Sequence, residues 1–185
     1  MSVLMRSRGI SGRPVVTLDT AEAPAEVRDV VLSYATADLV GFTLNKRGYL
    51  GSPLKEVLPW SRVASLGRDA VLVASADALG ADDAAMAAAA EAGEPDVIGV
   101  AVMTDDGTRL GAVTDVILEV GRTADVIGFE LDGPEVRLLL PIDDTIAVSG
   151  DTLMVPAAAR DFVRDDLSGF GSAVADFRAR LREPT

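Results

Sequence analysis

The sequence contains neither cysteine nor histidine in its 185 residues. The lack of cysteine excludes disulfides, thiolate nucleophiles and thiolate metal ligands, and the lack of histidine removes the commonest general base and transition-metal ligand. A Ser-His-Asp triad cannot be assembled, and no Walker A loop or Gly-x-Gly-x-x-Gly fingerprint is present. We therefore expect no enzyme: no catalytic residue, no cofactor-binding residue and no cofactor. A hydrolase that works with carboxylates alone is the enzymatic alternative, and we rank it last.

Long apolar runs are also absent, although 49% of the residues are hydrophobic. The alanine-rich run 84–90 is far shorter than the roughly 20 residues that a membrane-spanning helix needs. Residues 1–14 contain arginines but no apolar core of 7 to 15 residues, which a signal peptide would have. We expect no membrane insertion and a cytoplasmic location.

Positive charge is scarce in one part of the chain only. The net charge of the whole is −12. Residues 1–75 hold nine Lys or Arg against seven Asp or Glu, whereas residues 76–155 hold three against seventeen. An acidic surface repels phosphate backbones, so we do not expect nucleic acid as a partner. The acidic segment favours basic partners or serves simple solubility, and we prefer the second explanation.

Four pairs of adjacent aspartates are the remaining candidates for a metal site. They are Asp82-Asp83, Asp105-Asp106, Asp143-Asp144 and Asp165-Asp166. Neighbouring side chains on a strand point to opposite faces, and no EF-hand spacing surrounds any pair. We interpret these aspartates as turn or surface residues and expect no metal ligand among them.

What the sequence does contain is an internal repeat in three ordered blocks. Residues 27–32 align with 113–118, residues 38–44 with 125–131, and residues 58–73 with 140–155. Three kinds of residue recur at equivalent places and are our candidate structural residues of the repeat: Asp29 and Asp115, Gly41 and Gly128, Pro59 and Pro141. We expect the aspartates to bind backbone N–H groups and each glycine to let its sheet curve, with the neighbouring phenylalanine filling a small barrel.

The patterns between and after the blocks divide the chain into four segments. Short β-rich runs with frequent turns predict all-β domains at 1–75 and 97–156. The segment 76–96 is rich in alanine, and acidic residues before the run with Gly93 after it predict a short helix, the alternative being a flexible spacer. The final segment, 157–185, has the apolar spacing of an amphipathic helix.

The C-terminal stripe consists of six apolar residues: Val163, Leu167, Phe170, Val174, Phe177 and Leu181. Gly169 and Gly171 interrupt it, so we predict two helical pieces with a break between 168 and 172. The stripe covers an open side of a barrel in the same chain, or it forms a homodimer through Phe162, Phe170 and Phe177. We favour the first alternative.

The repeat resembles a known protein family. The elements Gly12-Arg13-Pro14, Val27-Arg28-Asp29-Val30, Gly41-Phe42, Leu58-Pro59-Trp60 and Gly67-Arg68-Asp69 are similar, in this order, to a PRC-barrel domain, and the second copy resembles it through 111–116, 140–142 and 150–153. The resemblance implies a mainly β fold with two small PRC-type β-barrels in tandem. It also implies a docking role and carries no catalytic residue.

The resemblance and the composition together lead to a functional expectation. We expect a non-enzymatic adaptor that docks another protein, and the alternative is an RNA- or ribosome-associated assembly factor, since one branch of the family is ribosomal. Trp60 is the one large aromatic whose repeat equivalent, Ile142, is aliphatic. Tryptophan and arginine are enriched at interface hot spots, so Trp60, Arg62 and Arg68 are our candidate interaction surface.

Overall fold

The computed structural model describes residues 1–48, 50–80, 83–93, 96–133, 135–143, 147–149 and 151–183. Its strands are β1 (Val3–Arg6), β2 (Pro14–Thr17), β3 (Ala25–Ser33), β4 (Asp38–Lys46), β5 (Pro53–Pro59), β6 (Val63–Leu66), β7 (Val71–Val73), β8 (Ala101–Thr104), β9 (Arg109–Val120), β10 (Ala124–Asp132), β11 (Arg137–Pro141), β12 (Ala147–Ser149) and β13 (Thr152–Val155). Its helices are α1 (Ala84–Ala92) and α2 (Phe170–Arg182), besides several short 3₁₀ turns. The mainly β fold class is confirmed.

The two copies have the same strand pairing. In the first copy β2 runs antiparallel to β3 and parallel to β7, and β6 pairs with β7. In the second copy β8 runs antiparallel to β9 and parallel to β13, and β12 pairs with β13. β5 pairs with β4 so that Gly41 faces Pro59, and β11 pairs with β10 so that Gly128 faces Pro141. The two glycines therefore occupy equivalent places in the strand pairing of the two copies, and so do the two prolines.

The turn before each β-hairpin repeats down to its hydrogen bonds. Gly12 and Gly99 both have φ near +85°, a left-handed conformation that favours glycine. The Gly12 N–H donates to the Val27 carbonyl at 2.8 Å, and the Gly99 N–H donates to the Val113 carbonyl at 2.7 Å. Neither glycine lies within the three blocks of the repeat, so the sequence alignment did not pair them.

Each copy encloses its own aromatic core residue. Phe42 and Phe129 are both completely buried, as the Gly-Phe pairs predict. They lie among fully buried aliphatic side chains, of which Leu44 and Leu58 belong to the first copy and Leu118 to the second. Each copy thus has a phenylalanine in its core, and its strands curl in the manner expected of a small barrel.

Helix α1 is confirmed, and the flexible spacer is not. The Asp83 carboxylate caps it by accepting the N–H groups of Ala85 and Met86 at 2.9 and 3.1 Å. Gly93 ends it in the left-handed conformation. The helix buries Met86 and Ala89 against Val40, with Val31 and Val57 beside them. Packing against the first sheet thus gives a short helix the support that it lacks alone.

The C-terminal segment departs from the predicted stripe. The break is confirmed, because Gly169 has a left-handed φ of 74° and α2 begins after it. The first piece, however, is only a 3₁₀ turn at Ala157–Phe162, so the prediction of helix at Val163 and Leu167 was wrong. The reason is strand-like bonding: the backbones of Arg164 and Leu139 exchange two hydrogen bonds, at 2.7 and 3.0 Å, which hold this stretch extended.

Helix α2 packs within its own chain. Phe170 and Phe177 are completely buried, while Leu181 is exposed. Phe162 is half-buried, and its ring centroid lies 5.6 Å from that of Phe177. The homodimer through Phe162, Phe170 and Phe177 stays a prediction, and of the three side chains only Phe162 has surface left to contribute.

The chain forms two compact units, which do not follow the order of the sequence. One unit comprises Ser7–Ser33 and Leu39–Glu94, and the other comprises Met1–Arg6, Tyr34–Asp38 and Pro95–Thr185. We call them the first and the second unit. The second unit includes β1, which pairs antiparallel with β9. Within the described residues no helix is both long and apolar enough to span a membrane.

Candidate functional site

The turn that carries Trp60 is anchored to the segment before α1. Trp60, Ser61 and Arg62 form a 3₁₀ turn between β5 and β6. The Ser61 hydroxyl donates to the Asp83 carboxylate at 3.4 Å, and the Arg62 Nη1 donates to the carbonyl of Asp77 at 3.2 Å. Both contacts lie within the first unit. They fix the turn so that the indole and the guanidinium are presented at a defined position.

The two copies carry different side chains at the position of Trp60, and these side chains are buried to different extents. Trp60 is half-buried, whereas its repeat equivalent Ile142 is 4% exposed. A half-buried tryptophan leaves part of its apolar ring in water, which a solitary barrel does not require. The second copy shows that a small aliphatic side chain is enough to complete the fold here.

Arg68 lies in the β6–β7 turn, at the other end of β6 from Trp60 and Arg62. A four-residue strand is about 13 Å long, so the structure does not gather the three side chains into one cluster. It places them at the two ends of one strand. Within the described residues β6 pairs with β7 alone and forms an edge of the sheet. We call β6 with Trp60, Arg62 and Arg68 the β6 edge surface.

The exposed side chains of β6 itself are small. Ala64 and Ser65 are exposed, and the pairing with β7 is irregular between Val63 and Ser65. Such a bulge twists an edge strand and limits unspecific pairing with other chains. The backbone of the strand nevertheless remains open to a partner along one side.

Asp29 and Asp115 occupy the same position in different surroundings. The Asp115 carboxylate is buried and accepts the N–H of Val116 at 2.8 Å. That of Asp29 is exposed and accepts from the side chains of Arg28 and Thr43, at 2.7 and 3.1 Å. Both aspartates thus hold neighbouring groups in place, but among the residues that the structure describes only the Asp115 carboxylate, and not that of Asp29, binds a backbone N–H.

A buried glutamate that the sequence reasoning did not single out lies opposite Asp115. Glu130 is 2% exposed and pairs with Asp115 in the register of β10 and β9. Its carboxylate accepts from Arg6 Nε at 2.6 Å and from Arg137 Nη1 at 3.4 Å. Arg6 belongs to β1, so this ion pair fastens the first strand of the chain to the second unit. The sequence gives no signal of it, because Thr43 occupies the equivalent position in the first copy.

The arginine of the Gly-Arg-Pro element has a structural role. Arg13 Nε donates to the carbonyl of Gly9 at 2.9 Å, and its Nη1 donates to that of Gly67 at 2.6 Å. Burial lowers the pKa of this guanidinium below its ordinary value, and the nearby carboxylate of Asp69 partly offsets the effect. A side chain that already binds two carbonyls in its own unit is a clamp between loops and has little left for a ligand.

The Asp105-Asp106 pair lies in the β8–β9 turn, where Gly107 has a positive φ of 86°. Asp105 Oδ1 accepts the N–H of Ala157 at 2.9 Å, and Asp106 Oδ2 accepts from Arg160 Nη2 at 2.6 Å. A hydrogen bond from the Thr104 hydroxyl is the main cause that lowers the pKa of Asp106, and Arg160 contributes. These carboxylates fasten the turn to the segment after β13.

Among the residues that the structure describes there is no candidate metal site, since no group of three or more acidic side chains comes together there. Two of the aspartates considered from the sequence, Asp82 and Asp144, lie outside the described residues.

Comparison with known proteins identifies the repeat. The family model of the PRC-barrel domain matches residues 3–79 and again residues 93–161. No curated protein matches the chain. The two matches cover the strands of both copies, and the second extends past β13. The chain belongs to the PRC-barrel domain family and carries two copies in tandem.

Proposed function

We propose that this tandem PRC-barrel protein is a non-enzymatic docking module that binds another protein at the β6 edge surface. The observation that carries the proposal is that Trp60 keeps part of its side chain at the surface, at a position where the second copy buries Ile142. Tryptophan and arginine dominate the binding energy of many protein interfaces, because they combine a large apolar area with hydrogen-bonding groups. Trp60 and Arg62 supply both within one turn.

The open side of β6 supports a particular mode of docking. An extended peptide that pairs with an edge strand gains main-chain hydrogen bonds, and side-chain pockets at the edge give specificity. Ala64 and Ser65 are small and exposed, so they leave the backbone of β6 accessible. We propose that a partner segment lies along β6, contacts Trp60 at one end and reaches Arg68 at the other.

The partner segment is expected to be acidic. Arg62 and Arg68 are exposed, and residues 1–75 carry a net positive charge while residues 76–155 are strongly acidic. Complementary charge steers association and excludes wrong partners. The same arginines could attract RNA, which keeps the ribosome-associated factor as the alternative. The large negative charge of the rest of the chain opposes that alternative.

The absence of cysteine makes a direct experiment convenient. Ser65→Cys provides a single attachment point on the exposed face of β6 for a photoactivatable crosslinker. Crosslinking in native lysate identifies the partner by mass spectrometry. The purified partner is then titrated against the full chain by calorimetry.

The variants decide whether the crosslinked protein binds where we propose. Trp60→Ala should weaken binding by about 2 kcal/mol, the usual minimum for a hot-spot residue. Leu50→Ala removes an apolar side chain that is 88% exposed in the same unit and should change nothing. Arg62→Ala should weaken binding, whereas the matched change Arg122→Ala, at an exposed turn of the second unit, should not. A partner whose affinity is unaffected by Trp60→Ala and Arg62→Ala would contradict the proposal.

A further inference from the structure

We propose that α1 is an exchangeable cover over a helix-binding groove in the first unit, and that the groove accepts an amphipathic helix of a partner protein with an aromatic residue at the position of Met86. This groove is a second surface, and the inference does not depend on docking at the β6 edge surface. It follows from a comparison of the two copies, which place a helix on equivalent residues.

The groove of the second unit shows which side chains of a helix fill it completely. Its walls are Ile117, Ile127 and Leu139, which are all at most 1% exposed, and α2 fills it with Phe170 and Val174. The floor is Gly128: a Cβ added there would lie 2.5 Å from Phe170 Cζ. The ring therefore occupies the space that a side chain at this glycine would need.

The groove of the first unit is made of the equivalent residues, each one size smaller. In the repeat alignment Val31 corresponds to Ile117, Val40 to Ile127 and Val57 to Leu139. Its floor is Gly41, and a Cβ added there would lie 2.6 Å from Met86 Sδ. Met86 thus stands where Phe170 stands in the second unit.

The first groove is filled less completely than the second. Val31 and Val57 remain half-buried, whereas Ile117 and Leu139 are 0% and 1% exposed. The smaller walls and the smaller cover leave Val31 and Val57 partly exposed, and a larger side chain at the position of Met86 would cover more of them. Methionine is flexible and fills irregular gaps without fixing one arrangement. Helix α1 therefore covers the groove of the first unit only in part.

Helix α1 is also held more weakly than α2. It has nine residues, of which only Met86 and Ala89 are buried, whereas α2 has thirteen and buries four. The remaining positions of α1 are exposed alanines, except for Glu91. A helix this short is marginal when it loses its packing. Its release from the groove therefore costs less than the release of α2 would.

A partner helix is a better occupant than a second copy of this chain. The fitting pattern, an aromatic residue followed four positions later by an aliphatic one, exists in α2 as Phe170 and Val174. Both are buried in their own unit, and Phe177 holds the same helix down. A second copy would have to expose these side chains before it could insert them, whereas a partner helix has no such cost.

The first measurement is hydrogen exchange of the full chain followed by mass spectrometry. We expect peptides from α1 to exchange at least about tenfold faster than those from α2, because weakly packed elements open locally without global unfolding. Exchange of α1 as slow as that of α2 would overturn the proposal.

The second measurement uses a synthetic peptide of residues 167–183 of this chain as a stand-in for the partner helix. We expect the labelled peptide to bind the full chain saturably in fluorescence anisotropy, to speed exchange in α1 and to slow exchange in β3 and β4. Phe170→Ala in the peptide should weaken binding at least about tenfold, as expected when a buried aromatic anchor is lost. Binding that leaves exchange in α1 unchanged would place the peptide elsewhere and refute the groove.

A matched pair of variants tests the exchange itself. Ala88→Gly changes an exposed residue of α1 and lowers the stability of the helix without changing a groove residue. The peptide should therefore bind about fivefold tighter, the factor that corresponds to the roughly 1 kcal/mol difference between alanine and glycine in a helix. Ala175→Gly makes the same change on an exposed position of α2 and should leave the affinity unchanged. Equal effects of both variants contradict the proposal. A concentration-dependent dimer in ultracentrifugation would replace the partner helix by a second copy.

Discussion

Replacement of Gly128 by alanine should destabilise the protein strongly, because the added side chain would meet two rigid neighbours. The added Cβ would lie 2.5 Å from the carbonyl oxygen of Leu140 and 2.5 Å from Phe170 Cζ. The carbonyl cannot retreat without disturbing the pairing of β10 with β11, and Phe170 is completely buried. Overpacking of a core costs about 1 to 3 kcal/mol, and two rigid neighbours place this change at the upper end.

The equivalent change in the first copy should cost less. At Gly41 the added Cβ meets the carbonyl of Leu58 and the Sδ of Met86, and the second of these belongs to a flexible side chain. We expect a loss of about 1 to 2 kcal/mol, taken from the lower part of the same range. The difference between the two variants measures how rigidly each helix covers its glycine.

Gly171→Ala is the matched control for Gly128→Ala. The residue lies in α2 beside Phe170, has no positive φ, and its nearest neighbour for an added Cβ is Leu4 Cδ1 at 4.0 Å. Because alanine favours helix, this variant should be stabilised by up to about 1 kcal/mol.

The assay for these three variants is urea denaturation monitored by circular dichroism, with thermal melting as a second readout. A loss of 1 kcal/mol lowers the melting temperature of a chain of this size by about 2 to 4 °C. The reasoning is refuted if Gly128→Ala unfolds within about 0.5 kcal/mol of the wild type, a change typical of neutral surface substitutions. It is equally refuted if Gly171→Ala is as destabilising as Gly128→Ala.

The remaining predictions concern charge and ligands. Glu130→Gln should destabilise the protein by about 1 to 3 kcal/mol in urea denaturation. This is less than the loss of a fully buried ion pair, because the Arg6 side chain is 40% exposed. An unchanged free energy of unfolding would show that the ion pair does not hold β1. Asp106 has a lowered pKa in the folded protein, so its contribution to stability is present above the unfolded pKa and is lost as the pH falls through the folded pKa. Asp106→Asn should therefore flatten the acid side of the stability curve, and an unchanged pH dependence would contradict this. Fluorescence anisotropy with single- and double-stranded RNA at about 150 mM salt should show no submicromolar binding; tight binding that the loss of both arginines of the β6 edge surface weakens would favour the RNA-associated alternative. Calorimetry should detect no micromolar Ca²⁺ or Mg²⁺ site, and binding that Asp105→Asn abolishes would be decisive against this.

Much of the fold could be predicted because it depends on short-range patterns. Alternating apolar residues and turn glycines locate the strands, and the repeat aligns Gly41 with Gly128 before any coordinates are known. The capping aspartate and the terminal glycine of α1 act within a few residues of the helix, so their effect is also visible in the sequence. The same local reasoning failed at Val163, where a backbone pairing with β11 overrides the helical spacing.

Features that depend on contacts between distant residues could not be predicted. The pairing of β1 with β9 joins residues more than a hundred positions apart, and nothing in Val3–Arg6 indicates its partner. The ion pair of Glu130 also depends on that pairing, because its partner Arg6 lies in β1. Of the candidate site, the sequence singled out Trp60, Arg62 and Arg68, but it could not show that Trp60 and Arg62 share one turn and that β6 separates them from Arg68.

The two helices show why the repeat was underestimated from the sequence. The carbonyl of Val57 accepts the N–H of Gly80, and the backbone of the equivalent Leu139 bonds Arg164, so in both copies the chain returns to the same strand before its helix begins. Met86 and Phe170 then cover equivalent glycines. Met86 lies among alanines and Phe170 lies between two glycines, so the two helices share no sequence pattern. At this position the fold needs a large side chain that fills the space above the strand glycine, and more than one residue type can do so. The repeating element is therefore the barrel together with its helix, and a tandem chain can keep one helix fixed while the other is free to be exchanged.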